Sequence, residues 1–493
     1  MTSQMSQQTP TTDLEVIAMN RKYPAASMTL ATLFAALLLA GCASTASLAP
    51  ANLPATPAAF KEGTGATALK GATGAVTNAM TNAVAEGRWW TVFSDPVLSQ
   101  LVEQANRSNN SVQVAAGRLA QARAIAGAVD ANRSVQAGLG AGAVRQTDAT
   151  AGNAPRTVLS TGASLSYELD LFGKLSGASN AALLDANGKE ALLRSTQLLV
   201  QANVAQTYLS LRALDAERAL VQGTLLAYRH TLRLTEVRFR EGDVAELDVA
   251  RVMTEVASTE SDAIALDRRR AELEHALAVL VGEVASSFQL APIEWATAMP
   301  VIPAGVPSTV LTRRPDVAAA QSAMQASQTR VGVAKTAWFP TFALTANGGY
   351  AAPEIKDLFK LSARAWGVGA LLSLPILDGG RREAGVRNAN AELDMALASY
   401  REQILVAFKD VEDQLSSLRL LAAQSEAQSR AVASATRATA LSGARYKNGL
   451  VSQLELLDAQ RSELSNRRQA LQVRAAQYQA TVGLIRALGG GWV

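Results

Sequence analysis

Arg238-Phe239-Arg240-Glu241-Gly242-Asp243-Val244-Ala245-Glu246-Leu247-Asp248 and Arg445-Tyr446-Lys447-Asn448-Gly449-Leu450-Val451-Ser452-Gln453-Leu454-Glu455 are one passage written twice, 207 positions apart. Arg238 falls on Arg445, Phe239 on Tyr446, Gly242 on Gly449, Val244 on Val451 and Leu247 on Leu454. The same offset carries Gln121 and Arg123 onto Gln328 and Arg330, Leu165-Ser166 onto Leu372-Ser373, Gly173-Lys174 onto Gly380-Arg381, and Gly282 onto Gly489. A register held over so long a stretch implies that one unit was duplicated. Each copy predicts the same order: a helix, a β-hairpin, a long helix, a tight turn at the glycine, and a second long helix.

The helices are legible in their spacing. Steps of four and three from Leu450 meet Leu454, Leu457, Arg461, Leu464, Arg468, Leu471, Ala475, Tyr478, Val482 and Ile485, a seam interrupted by two arginines. In the first copy they meet Ala245, Val249, Val252, Val256, Thr259, Ala263, Leu266, Arg270, Leu273, Leu277 and Leu280. A repeat of 3.5 residues makes helices supercoil left-handedly around neighbours, and the many alanines allow close approach. The proline-free stretches Leu175 to Phe239 and Ala384 to Tyr446 predict rods on the order of 90 Å long.

Where alternation replaces the heptads, four strands are predicted: about Ser134 to Arg145, Arg156 to Leu171, Thr341 to Tyr350 and Ala363 to Leu374. Gln146 to Pro155 joins the first pair and Ala351 to Ser362 the second. Phe342, Leu344 and Ala346 share one face of the third strand, as do Trp366, Val368, Ala370 and Leu372 on the fourth. Such lengths cross a bilayer as tilted strands. Four strands cannot close a barrel, for which about eight is the minimum, and open edges in lipid leave backbone groups unsatisfied. Two copies would supply eight strands and three would supply twelve. The competing reading is a soluble α+β protein with two surface hairpins.

The composition agrees with long helices: 48% hydrophobic, 5% aromatic and 18% charged over 493 residues. Forty-six Lys and Arg against 42 Asp and Glu leave a net charge of +4 that is spread along the chain, so nucleic acid is not an expected partner. One cysteine and two histidines, His230 and His275, exclude a disulfide framework and a zinc ribbon, and no metal site or cofactor is expected. At the N-terminus, Arg21 and Lys22 precede an apolar run from Met28 to Ala40 that ends at Gly41-Cys42. Thirteen residues are too short for a permanent span, and the outline is that of a signal peptide. Small residues before the sole cysteine resemble the lipobox of bacterial lipoproteins, which would make Cys42 the acylated mature N-terminus, carrying N-acyl and S-diacylglycerol lipid. An ordinary cleaved signal is the alternative. The expected order is then signal peptide 1–41, lipidated tether 42–87, first repeat 88–290, linker 291–314, second repeat 315–489 and tail 490–493.

Enzyme readings fail. Gly332 to Thr336 ends in Lys-Thr like a phosphate loop but has Ala334 where the glycine before the lysine belongs. Gly138, Gly140 and Gly142 alternate as in a crowded strand, not as in a dinucleotide fingerprint. A membrane-anchored hydrolase and a coiled-coil structural lipoprotein without a pore remain the alternatives to a channel.

Taken together, the chain from Trp89 to Gly489 resembles the TolC-like outer-membrane factors of tripartite efflux pumps, and more closely their NodT-like lipoprotein branch. The carriers are Trp89-Trp90 with Phe93, Asp95-Pro96 and Leu98; Glu168-Leu169-Asp170-Leu171-Phe172-Gly173; Arg313-Arg314-Pro315-Asp316; Leu374-Pro375-Ile376 with Asp378-Gly379-Gly380; and Leu456-Leu457-Asp458-Ala459-Gln460-Arg461-Ser462 after Arg445-Tyr446 and Gly449. The resemblance implies a mixed, mainly α fold: a homotrimer sharing a twelve-stranded barrel, continued by a helical tunnel in the periplasm. It implies a passive duct in the outer membrane, fed by a periplasmic adaptor protein and an inner-membrane transporter of the resistance-nodulation-division type; type I polypeptide secretion is the alternative use. It places Gly242 and Gly449 at the hairpin tips, with Arg238, Phe239, Arg445 and Tyr446 on the surface that meets the adaptor. It also implies a pore gate at Asp458 and Leu454, joined by Glu455 and Asp248. Glu455 departs from the branch, which tends to carry a small polar residue there. Opening is expected to resemble an iris movement, with Tyr446 and Asp248 as latches.

Overall fold

The computed structural model describes residues 54, 56–63, 87–147, 155–297, 299–300, 302 and 307–491. All lie in one compact unit, Pro50–Val493. Cys42 and the expected signal peptide fall outside the described residues.

A short 3₁₀ turn, Trp89–Phe93, leads into α1 (Pro96–Ser108) and α2 (Asn110–Ala131). Asp95 starts α1, its Oδ1 accepting from the amides of Val97 and Leu98 at 3.0 and 3.1 Å, with Pro96 at the first helical position, where its missing N–H costs nothing. The strands β1 (Gln136–Gln146) and β2 (Arg156–Leu169) follow, then α3 (Lys174–Arg240) and α4 (Glu246–Val281). The second copy repeats this as α5 (Pro307–Arg313), α6 (Pro315–Lys335), β3 (Thr341–Ala352), β4 (Arg364–Ser373), α7 (Arg381–Lys447) and α8 (Gln453–Ala487). The rods α3 and α7 are each 67 residues, about 100 Å at 1.5 Å per residue.

The duplication is visible in the backbone. Gly173 and Gly380 have φ of 73° and 83°, Gly242 and Gly449 84° and 71°, and Gly282 and Gly489 78° and 87°. At three equivalent points of each repeat the chain reverses or changes element through a left-handed residue, which glycine adopts without a Cβ clash. At the last pair, space adds a second demand. A Cβ on Gly282 would lie 2.6 Å from the Ser108 carbonyl oxygen, and one on Gly489 2.9 Å from that of Arg313.

The four strands form one antiparallel sheet in sequence order. The join between repeats runs through β2 and β3, where Leu165 lies opposite Ala346 and Gly162 opposite Gly349. The core gathers where the helices converge below the sheet: Trp89, Phe93, Leu98 and Val102 pack with Tyr208 and Leu209 of α3, Leu277 of α4, Ile404 and Val411 of α7, and Tyr478, Val482 and Ile485 of α8. The heptad seams supply this core with Leu277, Tyr478, Val482 and Ile485, and nearer the tip they feed two smaller clusters, Leu266 with Val221 and Ala263, and Val252 and Leu457 with Tyr228. Toward the tip the second seam loosens, with Leu450 and Leu454 exposed.

Two features differ from expectation. The linker 291–314 contains the helix α5, whose seven residues are too few for a period to show. Part of the expected tether is docked, not loose: Phe60 is buried in the core, and the amides of Lys61 and Glu62 donate to the two carboxylate oxygens of Glu412 on α7 at 2.7 and 3.0 Å. Glu62 in turn pairs with Arg419 at 2.7 Å.

Candidate functional site in the sheet, the tips and the seam between hairpins

The strand register sorts side chains onto two faces. On one lie Leu139, Leu165, Tyr167, Phe342, Leu344, Val368, Ala370 and Leu372; on the other Gly138, Gly140, Gly142, Ser160, Ser164, Thr345, Asn347 and Gly369. The first face is apolar yet open, with Leu139 90% exposed and Val368 78%. A largely apolar sheet face left bare in this way is built for lipid, and its reverse, mainly glycine, serine, threonine and asparagine with Val144, Val158 and Leu371 among them, suits a water-filled lumen. Small residues are also required for the strands to approach. A Cβ on Gly349 would lie 2.6 Å from the Gly162 Cα. The alternating glycines of β1 thus belong to the lumen face, which apolar alternation alone did not reveal. Among the described residues no helix is long and apolar enough to cross a membrane.

Far from the sheet in sequence, the two helical hairpins turn identically. In the first, the Asp243 amide donates to the Arg238 carbonyl at 2.8 Å and the Gly242 amide to Phe239 at 3.0 Å; in the second, Leu450 donates to Arg445 at 2.9 Å and Gly449 to Tyr446 at 3.0 Å. Both are six-to-one closures around a left-handed glycine. Arg238 donates to the Tyr446 hydroxyl at 2.9 Å, with its guanidinium carbon 5.8 Å from that ring's centre, and lies 3.9 Å from Asp243. The Tyr446 hydroxyl donates to Gln453 Oε1 at 3.3 Å, and Gln453 Nε2 donates to Thr235 Oγ1 at 2.8 Å in a buried bond. The two tips are therefore laced together within one chain, leaving Phe239 exposed.

The residues expected at the gate sit near the start of α4 and α8. Asp248 lies in the first turn of α4, 3.8 Å from Arg251. Its counterpart Glu455 donates its amide to the Ser452 cap and pairs with Arg445 at 3.5 Å. Asp458 is exposed and 3.3 Å from Arg461; Leu454, one turn earlier on α8, is exposed too.

The two arginines interrupting the second seam turn out to join the repeats. Arg461 reaches Glu255 of α4, and its guanidinium is held more firmly protonated by that bond, with burial opposing the shift. Arg468 binds Glu217 of α3 and Asp262 of α4, each at 2.8 Å. Beside them a polar groove of about 290 Å³ is lined by Tyr228, whose buried hydroxyl has no hydrogen-bond partner among the described residues. Burial pushes that phenol up to about 12, with Glu255 adding to the shift. No spacing rule could have paired these groups, because their partners lie 206 to 251 residues away, but charges on an apolar seam were the available signal.

Polar groups also fix the helical core. The Tyr208 hydroxyl donates to Asp95 at 2.8 Å, and Thr297 donates to the same carboxylate at 3.1 Å. Arg212 and Arg270 meet Asp215 at 3.1 and 2.8 Å and tie down the connection between repeats, since Arg212 also donates to the Ala291 carbonyl at 2.9 Å. No cluster of His, Cys, Asp and Glu suited to a metal occurs among the described residues.

A four-stranded sheet with lipid and lumen faces, set on paired coiled rods, defines a channel-forming outer-membrane protein. Residues 101–283 and 306–490 each match the family described as outer membrane efflux protein, and the chain belongs to that family. It is 34% identical over 420 residues to the pyoverdine export outer membrane protein OpmQ of Pseudomonas aeruginosa, covering 82% of this chain and 87% of that protein. It is 30% identical over 406 residues to the cation efflux system protein CusC of Escherichia coli, covering 82% and 88%. Among solved structures, the outer-membrane channel OprN matches with a TM-score of 0.77 at 30% identity, over 82% of this chain and 92% of that one. The protein is an outer-membrane efflux channel, with its strands in the membrane and its helices in the periplasm, and its role is transport.

Proposed function

We propose that three copies of this chain close a twelve-stranded barrel and a helical tunnel, forming a passive duct for small molecules. The observation that carries this is the sheet: lipid-facing on one side, mainly polar on the other, with β1 and β4 each unpaired along one edge among the described residues. Open edges cannot stand in lipid, and four strands cannot meet each other. Threefold sharing satisfies both demands. The duct works as the outer component of a pump, receiving cargo from an inner-membrane transporter of the resistance-nodulation-division type through a periplasmic adaptor, which docks on the tips around Arg238, Phe239, Gly242, Arg445, Tyr446 and Gly449. Three copies of Asp458, with Leu454, Glu455 and Asp248 nearby, form rings at the narrow end; three close carboxylates hold hydrated cations. Acylation of Cys42 anchors each subunit to the outer membrane.

The test is purified mature protein in planar lipid bilayers, with its mass measured in detergent. Discrete conductance from a species of three chains is expected, with cation selectivity that changes in Asp458→Asn. A monomer without conducting activity overturns the reading.

A further inference from the structure

The duplicated hairpins, α3 to α4 and α7 to α8, face a recognition problem that follows from the threefold assembly proposed above. In a ring of six similar hairpins, each second hairpin must choose a first hairpin as neighbour and never another second one. The repeat itself, being nearly symmetric, does not make that choice.

We propose that Arg461 and Arg468 make it, as a pairing code between unlike hairpins. Across the seam inside one chain, Arg461 meets Glu255, and Arg468 meets Glu217 and Asp262. The 207-residue offset shows what a wrong neighbour would offer. Glu255, Glu217 and Asp262 have the counterparts Ser462, Gln424 and Gln469, and the arginines themselves the counterparts Thr254 and Ser261. Every charge in the ladder is neutral in the other repeat. A second hairpin packed on another second hairpin sets both arginines against a hydroxyl and two amides. A first hairpin packed on another first leaves three carboxylates facing Thr254 and Ser261. The first-on-first arrangement strands the more deeply desolvated charge, because the side chains of Glu217 and Glu255 are only 9% and 11% exposed, and the second-on-second arrangement strands Arg468 and Arg461, which are 27% and 51% exposed. Penalising wrong partners by unpaired charge is how specificity is obtained between similar surfaces.

The tip follows the same logic at one contact and is indifferent at another. Arg238 donates to the hydroxyl of Tyr446, whereas the equivalent pair, Arg445 and Phe239, lacks that acceptor. The buried bond from Gln453 to Thr235 does not discriminate, because the counterpart of Thr235 is Ser442, a second hydroxyl that can accept from the same amide. That position can therefore carry a reporter without altering the code. In the resulting ring, charged seams lie within chains and neutral ones between chains.

Disulfide trapping reads the pairing directly. Thr235→Cys with Gln453→Cys reports the correct seam and closes within one chain. Ser442→Cys with Gln453→Cys reports a second hairpin on another second hairpin, as a species of twice the chain mass. With the ladder intact, the first pair closes and the double-mass species is absent. In Arg468→Ser with Arg461→Thr, which installs each arginine's own repeat counterpart, we expect the double-mass species to rise at least tenfold and the yield of trimer to fall. Arg468→Glu alone should do the same, and Arg468→Glu with Glu217→Arg should reverse it. The code is overturned if removing both arginines leaves the trapping pattern unchanged, or if the charge exchange restores nothing that Arg468→Glu lost. A protein that is monomeric with its ladder intact would overturn the threefold assembly instead.

Discussion

Arg314 donates from Nη1 to the carbonyl oxygen of Ala487 at 3.3 Å, fastening the start of α6 to the end of α8 across 173 residues. Its guanidinium also meets Asp316 at 2.7 Å and Asp410 of α7 at 3.1 Å. The first repeat does the same with a neutral group, since Asn109 donates to the carbonyl of Leu280, the counterpart of Ala487, at 2.8 Å. Both side chains satisfy a carbonyl that a helix end leaves without an intrahelical partner.

Arg314→Ala therefore removes the partner of two carboxylates and one carbonyl at once. Breaking a buried ion pair from one side costs about 3–5 kcal/mol. Thermal unfolding in detergent should show a lowered midpoint, with Arg314→Lys in between, because an ammonium cannot reproduce the forked contacts.

Acid should act through the same cluster. Burial pushes the Asp316 carboxyl up, but the hydrogen bonds and charge of Arg314 outweigh it and hold the group below its ordinary value of 3.8. A carboxyl depressed in the folded state contributes stability that is present above the unfolded value and lost as pH falls through the folded one. The midpoint should thus decline below about pH 4. Asp316→Asn should be less stable at pH 7 and flatter in acid; an unchanged acid slope would remove Asp316 from the account.

At the opposite end of the pH scale the reporter is Tyr208. Burial pushes its phenol up to about 12; Arg212 opposes the shift and Asp95, which accepts its proton, adds to it. A group raised on folding contributes stability that is complete below the unfolded value and lost as pH rises through the folded one. Stability should therefore fall between about pH 10 and 12, and Tyr208→Phe should lose about 1–2 kcal/mol at neutral pH together with that part of the alkaline slope. The ultraviolet titration of tyrosinate checks the assignment.

The two faces of the sheet predict opposite fates for neighbouring residues. Ala346 lies on the apolar face between Leu165 and Val368, and Asn347 on the lumen face beside Ser164. Arginine on the lipid side of a barrel near the bilayer midplane costs about 2–4 kcal/mol. Ala346→Arg should depress the yield of membrane-inserted protein. Asn347→Arg should insert normally and lower cation conductance, by adding positive charge to the lumen.

Much of this architecture was legible from the offset and the two periods. The rods predicted at Leu175 to Phe239 and Ala384 to Tyr446 end within a few residues of α3 and α7, because no proline interrupts them and a left-handed glycine closes each end. The strands were found through apolar alternation, and their lumen face was not, because Gly138, Gly140 and Gly142 have no side chains to alternate. At the tips, identity was readable and partnership was not. Arg238 and Tyr446 stood out as repeat counterparts of Arg445 and Phe239, but only the folded chain brings Arg238 to Tyr446. The same is true of Arg461 and Arg468, which look like flaws in a seam until Glu255, Glu217 and Asp262 arrive from the other repeat.

The join between the repeats within the sheet offers the sharpest steric test. Gly162 and Gly349 face each other across β2 and β3, and a Cβ on Gly349 would come within 2.6 Å of the Gly162 Cα, while one on Gly162 would lie 2.9 Å from the Gly348 carbonyl oxygen. Both clashes are with backbone, so no rotamer change relieves them, and the strands must separate. Gly140 sits on the lumen face of β1 with no described residue within 4 Å of its own Cβ position. Gly349→Ala should therefore break the pairing that unites the two hairpins and abolish the heat-modifiable assembled form on gels. Gly140→Ala should assemble and conduct as before. If both variants assemble equally well, close approach at Gly162 and Gly349 is not what holds the repeats together in the sheet.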